Sequence, residues 1–270
     1  MEKLKKLYNF LEQYKSVAVA FSAGVDSTFL AYVAGEVLGK KCLLLTVSSP
    51  LIPGSEIDEA IAVAKRMGLG HYILKSNIVE VPKFYKNSRN RCYVCKKELF
   101  SQIKETASAQ NYEVIMEGSN IDDINDYRPG LKALEEMNII SPLIRLSFKK
   151  DEIRDYSRKF GLETASKPSK ACLASRIPYY EIITREKLKM VETAENAIRM
   201  TGFHQFRVRC RGELACIEIS PEEMSRAWSN KELLYNLCRD AGFLYVAIDI
   251  RGYRCGSLNE SLQLNLFKPE

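Results

Sequence analysis

The chain has 270 residues, of which 46% are hydrophobic and 27% charged, a composition typical of one large or two smaller globular domains. No apolar run approaches the ~20 residues that a membrane span requires. The N-terminus leads into an amphipathic pattern rather than a signal peptide, so we expect a cytoplasmic protein without membrane attachment. The net charge of +6 is compatible with binding of anionic small molecules and of RNA, so net charge alone does not indicate which of them is the partner.

The chain carries eight cysteines without a secretory signal. Structural disulfides are rare in a reducing compartment, so metal, catalytic and packing roles must be shared among these residues. Cys42 lies in an apolar run and Cys238 in a helical pattern, which indicates core packing for both, whereas Cys255 in a late Gly-rich turn stays undecided. Five cysteines remain as candidates for chemistry: Cys92, Cys95, Cys172, Cys210 and Cys216.

Strand-like and helix-like segments alternate through the first part of the chain. This alternation predicts the α/β class, a parallel twisted sheet with helices on both faces, whose ligands bind beyond the carboxyl ends of the strands. The predicted helices cover 2–14, 27–39, 55–68 and 95–109, and the predicted strands cover 16–21, 42–47, 71–74 and 113–116.

A polar, Pro-containing stretch without periodicity follows residue 165. After it, the pattern predicts a small α+β domain with helices near 184–200 and 231–240 and strands at 204–210, 214–219 and 243–249. We therefore predict two domains, 1–175 and 176–270.

The segment Ser22-Ala23-Gly24-Val25-Asp26-Ser27 joins a predicted strand directly to a predicted helix. Gly24 would let the backbone turn tightly enough to aim consecutive N–H groups at one anion, and the helix N-terminus adds partial positive charge. Ser22 and Ser27 offer hydroxyl groups, and Asp26 could hold Mg²⁺. The alternative is that Asp26 or Ser27 only caps the helix. The pattern is neither a Walker loop nor a dinucleotide fingerprint.

These residues resemble the pyrophosphate-loop (PP-loop) ATPases, whose pattern is Ser-Gly-Gly-x-Asp-Ser, with Ala23 in place of the middle Gly. The resemblance implies that ATP is cut between its α and β phosphates to adenylate an oxygen of the substrate. It also implies ATP and Mg²⁺ as cofactors, held by Ser22, Gly24, Val25, Asp26 and Ser27. Gly118, in the second predicted strand-end segment Glu117-Gly118-Ser119-Asn120, is predicted to join this site.

Four further motifs resemble the LarE family, which makes the nickel-pincer cofactor of lactate racemase. The resemblance covers about residues 15 to 250 and implies that the carboxylates of a pyridinium biscarboxylic acid mononucleotide are adenylated and converted to thiocarboxylates. The motifs are Arg91-Cys92-Tyr93-Val94-Cys95-Lys96, Glu117-Gly118-Ser119-Asn120-Ile121-Asp122-Asp123, Asp126-Tyr127-Arg128-Pro129-Gly130 and Lys167-Pro168-Ser169-Lys170-Ala171-Cys172-Leu173-Ala174-Ser175-Arg176.

The resemblance leaves several sulfur sources open. In one form of the family, a cysteine matching Cys172 donates its own sulfur and is left as dehydroalanine. Relatives with three cysteines are thought to pass sulfide from the open iron of a [4Fe–4S] cluster, which here would use Cys172, Cys210 and Cys216 as metal ligands. Cys210 and Cys216 flank a predicted turn, and they share a face only if its loop has an odd number of residues. With a two-residue loop they would point to opposite faces. The alternative to a cluster is that both are buried packing residues.

Cys92 and Cys95 form a competing Cys-x-x-Cys pair. Together with one distant cysteine, the pair resembles the cluster ligands of iron–sulfur tRNA thiolases, which share the phosphate loop. The pair could also bind a structural metal or form a reversible disulfide.

Two arginines and two glutamates complete the predicted site. Arg207 and Arg209 alternate with apolar residues along a predicted strand, so they share one face and could clamp the substrate phosphate; solvated strand charges are the alternative. The family resemblance implies that Glu195 and Glu218 are catalytic carboxylates near the reactive sulfur, which could bind a metal or guide protons, although a solvated helix face would also explain Glu195. His71 and His204 are interpreted as structural.

The function predicted from these patterns is ATP-dependent sulfur insertion into the mononucleotide, with sulfide or another sulfur donor as partner. A tRNA thiolase is the alternative, but its longer basic extension is missing, so we do not expect nucleic acid. A non-catalytic nucleotide-binding module would leave the cysteines without a role. The family resemblance implies a homo-oligomer.

Overall fold

A computed structural model describes residues 2–125, 129–168, 171–254 and 256–260. The chain divides into two compact units: the first unit contains Met1–Ile78 and Asn90–Lys170, and the second contains Val79–Arg89 and Ala171–Glu270. The second unit thus includes residues 79–89, which a single boundary near residue 175 assigns to the first.

In the first unit, a four-stranded parallel sheet has the strand order β3-β2-β1-β4. Its strands are β1 (Val17–Ala20), β2 (Cys42–Ser48), β3 (Gly70–Lys75) and β4 (Ile115–Met116).

The helices, numbered along the whole chain, are α1 (Glu2–Leu11), α2 (Val25–Leu38), α3 (Gly54–Met67), α4 (Pro82–Tyr85), α5 (Arg91–Ala109), α6 (Pro129–Glu136), α7 (Pro142–Arg145), α8 (Lys150–Lys159), α9 (Arg185–Met200), α10 (Met224–Ser229) and α11 (Lys231–Asp240).

Both faces of the sheet are buried at β1, β2 and β4, whereas the edge strand β3 is largely exposed. Side chains alternate along a strand, so Val17 and Val19 belong to one apolar cluster, with α1, α2 and α3, while Ala18 belongs to a second cluster, with α5. Strands covered on both faces read as continuous apolar runs, as the β2 sequence does. The α/β prediction is therefore confirmed.

The parallel register brings the carboxyl ends of β1 and β4 together. Ala18 pairs with Ile115 and Val19 with Met116, so the segments that begin at Phe21 and Glu117 leave the sheet side by side. These are the two segments in which the sequence predicted phosphate-binding residues.

The second unit contains a three-stranded sheet of β5 (Phe206–Arg211), β6 (Leu214–Ile219) and β7 (Tyr245–Ile248), in that order. β5 and β6 form an antiparallel hairpin, and β7 runs parallel to β6. Phe206, Val208 and Cys210 are buried on one face of β5, while the two arginines between them share the opposite face. No helix in the described ranges is long and apolar enough to cross a membrane.

Candidate active site

The phosphate loop of the first unit lies between β1 and α2, as predicted. Gly24 is the N-cap of α2, and neither Asp26 nor Ser27 caps the helix, because Gly24 precedes both and no side chain accepts a bond at this cap. The tight turn, however, is not at Gly24, whose backbone is extended (φ −78°, ψ 161°). The turn is at Ala23, which has a φ of +50° and takes the left-handed conformation that favours glycine. The prediction that Gly24 supplies the turn is therefore wrong.

Two serine hydroxyls form hydrogen bonds within the loop. The Oγ atoms of Ser22 and Ser27 are 3.1 Å apart, and the Ser27 hydroxyl donates to the carbonyl of Gly24 at 3.2 Å. The first N–H groups of a helix have no acceptor inside the helix, so those of α2 are left for an anion. This arrangement suits a phosphate group.

Gly118 packs against the backbone of the loop. A Cβ atom added at Gly118 would lie 2.8 Å from the backbone nitrogen of Ser27 and 3.0 Å from the carbonyl carbon of Asp26. Any side chain here would push the start of α2 away from the end of β4. The position therefore requires glycine because two backbones approach each other closely.

Asp26 has two partners from distant parts of the chain. Lys150, at the start of α8, forms an ion pair with its carboxylate, and the Asn120 amide donates to Asp26 Oδ1 at 3.2 Å. Burial raises the pKa of the Asp26 carboxyl, while the hydrogen bond and charge of Lys150 oppose that rise. Asp122 fixes the start of α8 by accepting from the backbone N–H of Lys150 at 2.7 Å. Sequence reasoning missed Lys150.

Glu117 organises the segment that follows β4. Its buried carboxylate accepts from the backbone N–H and the hydroxyl of Ser119, at 3.1 and 2.7 Å, and from the hydroxyl of Ser141. These bonds fix the backbone around Gly118, which in turn contacts the phosphate loop.

A second lysine touches the loop. Lys167 donates to the carbonyl of Ala23 at 2.9 Å and to Glu59 at 2.7 Å, and only 12% of its side chain is exposed. Lys167 belongs to a motif that the sequence singled out, but no role was predicted for it. Ser169 and Lys170 of the same motif lie outside the described residues, as do Asp126, Tyr127, Arg128 and Cys255.

The first unit therefore combines backbone N–H donors, two hydroxyls, two lysines and a carboxylate around one helix start. Mg²⁺ prefers oxygen ligands and is commonly held by one or two carboxylates together with substrate phosphates. Asp26, with Asp123 nearby, fits this requirement. Mg²⁺ bound there would offset the negative charge of a polyphosphate.

In the second unit, Glu195 is buried rather than solvated. It forms a two-bond ion pair with Arg176, at 2.8 and 2.9 Å, and each side chain is only 5% exposed. Its Oε1 atom also accepts the backbone N–H of Val208 at 3.1 Å. The interpretation of Glu195 as part of a solvated helix face is therefore wrong.

Glu218 and Arg209 form a second buried pair. Arg209 Nη2 donates to Glu218 at 2.7 Å and to the hydroxyl of Ser257 at 2.7 Å, while Nη1 donates to the carbonyl of Ser175 at 2.7 Å. Most donors of Arg209 are thus engaged within the protein. Its Nε atom is buried and has no acceptor among the described residues.

Arg207 differs from both neighbouring arginines. Its guanidinium lies 5.2 Å from the ring centroid of Tyr253 and donates to the carbonyl of Phe206 at 2.7 Å, and no described carboxylate forms an ion pair with it. Burial and the positive charge of Arg176 lower the pKa of Arg207 below its usual value. Together with the two arginines and two glutamates above, this group has three positive and two negative charges.

Cys172 is exposed at the start of the short turn Leu173–Arg176. Its carbonyl accepts from the backbone N–H of Ser175 at 2.9 Å and from Arg176 Nη1 at 3.2 Å. The sulfur is therefore accessible, while the main chain behind it is fixed by hydrogen bonds.

Cys210 and Cys216 do not meet the geometric condition set for a three-cysteine cluster. The hairpin loop contains two residues, Gly212 and Glu213, so Cys216 pairs with Arg209 and Cys210 pairs with Ala215. The two cysteines consequently point to opposite faces of the sheet. Cys210 is fully buried, its Sγ atom lies 3.4 Å from the carbonyl oxygen of Gly212, and burial raises the pKa of its thiol to about 11.

The metal assignment to Cys172, Cys210 and Cys216 therefore does not fit this chain. In the part of the chain that the structure describes, no three Cys, His, Asp or Glu side chains form a group that could hold a metal ion. Cys92 is exposed and Cys95 half-buried near the start of α5. Cys42 and Cys238 are core residues, as predicted.

The parallel sheet and the phosphate loop between β1 and α2 are those of a nucleotide-binding domain of the ATP-pyrophosphatase (PP-loop) class. No family model matches the chain. An uncharacterized protein of Synechocystis sp. is 40% identical over 262 residues, covering 96% of this chain and 98% of that protein. A tRNA-specific 2-thiouridylase of Thermoanaerobacter pseudethanolicus is 23% identical over 72% of this chain and 66% of its own length.

A further relative defines the family. The pyridinium-3,5-bisthiocarboxylic acid mononucleotide synthase of Lactiplantibacillus plantarum is 30% identical over 253 residues, covering 93% of this chain and 92% of that enzyme. The chain belongs to the LarE family, to which that synthase also belongs, and it is an ATP-dependent sulfurtransferase. The resemblance found in the sequence is confirmed.

Proposed function

We propose that this protein adenylates the carboxylates of a pyridinium-3,5-biscarboxylic acid mononucleotide and converts them to thiocarboxylates. The pyridinium dicarboxylate part of this assignment rests on the related synthase of Lactiplantibacillus plantarum. The observation that supports the phosphate part is the excess positive charge around Arg207, which has no carboxylate partner among the described residues. A phosphate group beside Arg207 would balance that charge, and its oxygens would offer the acceptor that Arg209 Nε lacks.

In the first step, a carboxylate oxygen of the substrate attacks the α-phosphorus of ATP. The bond between the α-phosphorus and its bridging oxygen breaks, and pyrophosphate leaves. The loop from Ser22 to Ser27 holds the leaving pyrophosphate by its N–H groups and hydroxyls, while Lys150 and Lys167 supply positive charge. The product is a mixed anhydride of the carboxylate and AMP.

In the second step, sulfur displaces AMP. Because the proposed cluster ligands do not fit, we propose the exposed Cys172 thiolate as the nucleophile. It attacks the activated carbonyl carbon, AMP leaves with its electron pair, and a thioester to Cys172 forms. The Cys172 Cα proton then passes to a base from solvent, its electron pair forms the Cα=Cβ double bond, and the thiocarboxylate leaves with the electron pair of the Cβ–S bond, so that dehydroalanine remains.

A single-turnover experiment tests this function against the tRNA-thiolase alternative. Anaerobically purified protein is mixed with MgATP and either the mononucleotide or unmodified tRNA, and AMP, thiolated product and the mass of the Cys172 peptide are measured. We expect AMP and thiocarboxylate only with the mononucleotide, and a Cys172 peptide lighter by H₂S. Thiolated tRNA would overturn the substrate assignment. Product formed while Cys172 keeps its mass would overturn the sulfur source.

A further inference from the structure

Arg176 folds back onto the main chain that carries Cys172. Its Nη1 atom lies 2.7 Å from the carbonyl oxygen of Ala171, 3.2 Å from that of Cys172 and 2.9 Å from the hydroxyl of Ser175. One buried guanidinium thus contacts the peptide groups on both sides of the Cys172 Cα atom. The cysteine itself is exposed.

The opposite side of the same guanidinium is fixed by Glu195. Arg176 Nε and Nη2 donate to the two carboxylate oxygens, and Glu195 Oε1 also accepts the backbone N–H of Val208. Val208 stands between Arg207 and Arg209 on β5. A continuous chain of hydrogen bonds therefore connects the strand that bears the arginines to the backbone of Cys172.

A second connection runs parallel to the first. Arg209 donates to the carbonyl of Ser175 at 2.7 Å, so β5 holds both ends of the turn that follows Cys172. A planar guanidinium can bind a carboxylate with one edge and carbonyl oxygens with another, whereas a lysine ammonium cannot reach both sets at once.

We propose that Arg176 is a positioning residue for sulfur transfer, and that Glu195 acts through it rather than as an acid or base. Both oxygens of Glu195 already accept hydrogen bonds, and its side chain is buried, so no substrate proton has access to it. The pair sets where the Cys172 sulfur stands relative to the arginine face of β5. A misplacement of about 1 Å in a reacting group costs roughly a hundredfold in rate. This inference rests on the proposed function only in taking Cys172 as the sulfur donor.

Arg176→Lys tests the proposal, and Arg226→Lys is its matched control. Arg226 also folds back onto two carbonyls, of Thr201 and Gly202, and also pairs with a glutamate, Glu223, within the same unit. We expect Arg176→Lys to slow thiocarboxylate formation about ten- to a hundredfold while pyrophosphate release and the KM for the mononucleotide stay within about twofold. Arg226→Lys should leave all three unchanged.

Hydrogen exchange supplies a readout that needs no substrate. The Ser175 amide bonds to the Cys172 carbonyl, so we expect faster exchange over residues 171–176 in Arg176→Lys and unchanged exchange over β5 and β6. Wild-type exchange in this turn would overturn the proposal even if the mononucleotide proved not to be the substrate. Equal loss of pyrophosphate release and sulfur transfer would also overturn it, because that pattern indicates general misfolding.

Glu195→Gln keeps the proposal testable if Arg176→Lys fails to fold. A positioning role predicts a slower sulfur transfer whose pH profile keeps the wild-type shape. Loss of one limb of that profile would show that Glu195 exchanges protons during turnover, and it would overturn the positioning role.

Discussion

Lys150 and Asp26 form an ion pair across 124 positions of the chain, and Lys150 opposes the effect of burial on the pKa of the Asp26 carboxyl. The side chains are 26% and 20% exposed, so neither is fully hydrated. Burial alone would favour a protonated Asp26, which could not hold Mg²⁺.

Lys150→Met should move the acid limb of the pyrophosphate-release profile to higher pH. The physical reason is that Lys150 opposes the rise in the pKa of Asp26 caused by burial, so its removal raises that pKa further. Mg²⁺ binding requires the ionised carboxylate. As the pH falls, the variant therefore loses activity at a higher pH than the wild type does. The control is Lys149→Met, which alters an exposed neighbour. Coincident acid limbs in Lys150→Met and wild type would contradict the assignment.

Gly24→Ala should weaken ATP binding, whereas Gly118→Ala should lower the stability of the protein. A Cβ at Gly24 meets the Ser22 hydroxyl at 3.4 Å in an ordinary backbone conformation, so we expect normal stability and weaker ATP binding, because the methyl group enters the phosphate cradle. A Cβ at Gly118 would lie 2.8 Å from the Ser27 backbone, which should cost about 1–3 kcal/mol of stability. Thermal unfolding and ATP titration separate the two. Equal unfolding temperatures for both variants would contradict this distinction.

Ala23→Gly should not lower the stability of the protein. The left-handed conformation of Ala23 costs about 1–2 kcal/mol, which glycine avoids, while glycine adds about 0.4–1 kcal/mol of unfolded-state entropy. We therefore expect a net stabilisation of between about 0 and about 1.6 kcal/mol. Ala34→Gly, at a buried position inside α2, should destabilise by at least about 1 kcal/mol in the same denaturant titration. A comparable loss in both variants would show that the positive φ of Ala23 carries no strain.

Arg207→Gln should weaken binding alone, whereas Arg209→Gln should weaken both binding and folding. Loss of a charge-assisted phosphate contact at Arg207 should weaken mononucleotide binding by about 1.5–3 kcal/mol, roughly ten- to a hundredfold, with little effect on unfolding. Arg209→Gln leaves the buried Glu218 without its cation, which should cost about 3–5 kcal/mol of stability. Calorimetric titration and thermal unfolding measure the two effects. Equal affinity of wild type for a dephosphorylated substrate analogue would remove the basis for the role of Arg207.

The thiols of Cys172 and Cys210 should differ in their reactivity towards alkylating reagents. Iodoacetamide at pH 8 should label the exposed Cys172 in the native protein and leave Cys210 unlabelled, because Cys210 is buried and its thiol pKa is about 11. Cys210→Ala should not change the iron content of anaerobically purified protein. Loss of iron and of broad brown absorption on that substitution would restore Cys210 as a cluster ligand.

The phosphate loop and the sheet were predictable because local pattern determines them. A short apolar strand followed by Ser22-Ala23-Gly24-Val25-Asp26-Ser27 and a helical period needs no distant information. Lys150 could not be found in this way, because its partner lies 124 positions earlier. The burial of Glu195 could not be predicted from local pattern either. A glutamate on α9 is expected to be exposed, and it is buried here only because it forms an ion pair with Arg176.

The prediction that Cys210 and Cys216 share a face of the sheet depended on whether the hairpin loop has an odd or an even number of residues. With Gly212 and Glu213 alone in the turn, the hairpin places Cys210 with the apolar face of β5 and Cys216 with the arginine face. Glycine at the first central position, here with a φ of +58°, is typical of two-residue hairpin loops. That signal was present in the sequence and favoured the shorter loop.

The central claim is that ATP activates a carboxylate of the mononucleotide for attack by sulfur. Its most direct measurement is a single turnover in which AMP, pyrophosphate and thiocarboxylate are quantified together, with Cys172→Ala beside the wild type. We predict equal amounts of AMP and thiocarboxylate in wild type. Cys172→Ala should release pyrophosphate and accumulate the acyl adenylate without forming thiocarboxylate. Absence of mononucleotide-dependent pyrophosphate release from the wild type would contradict the account.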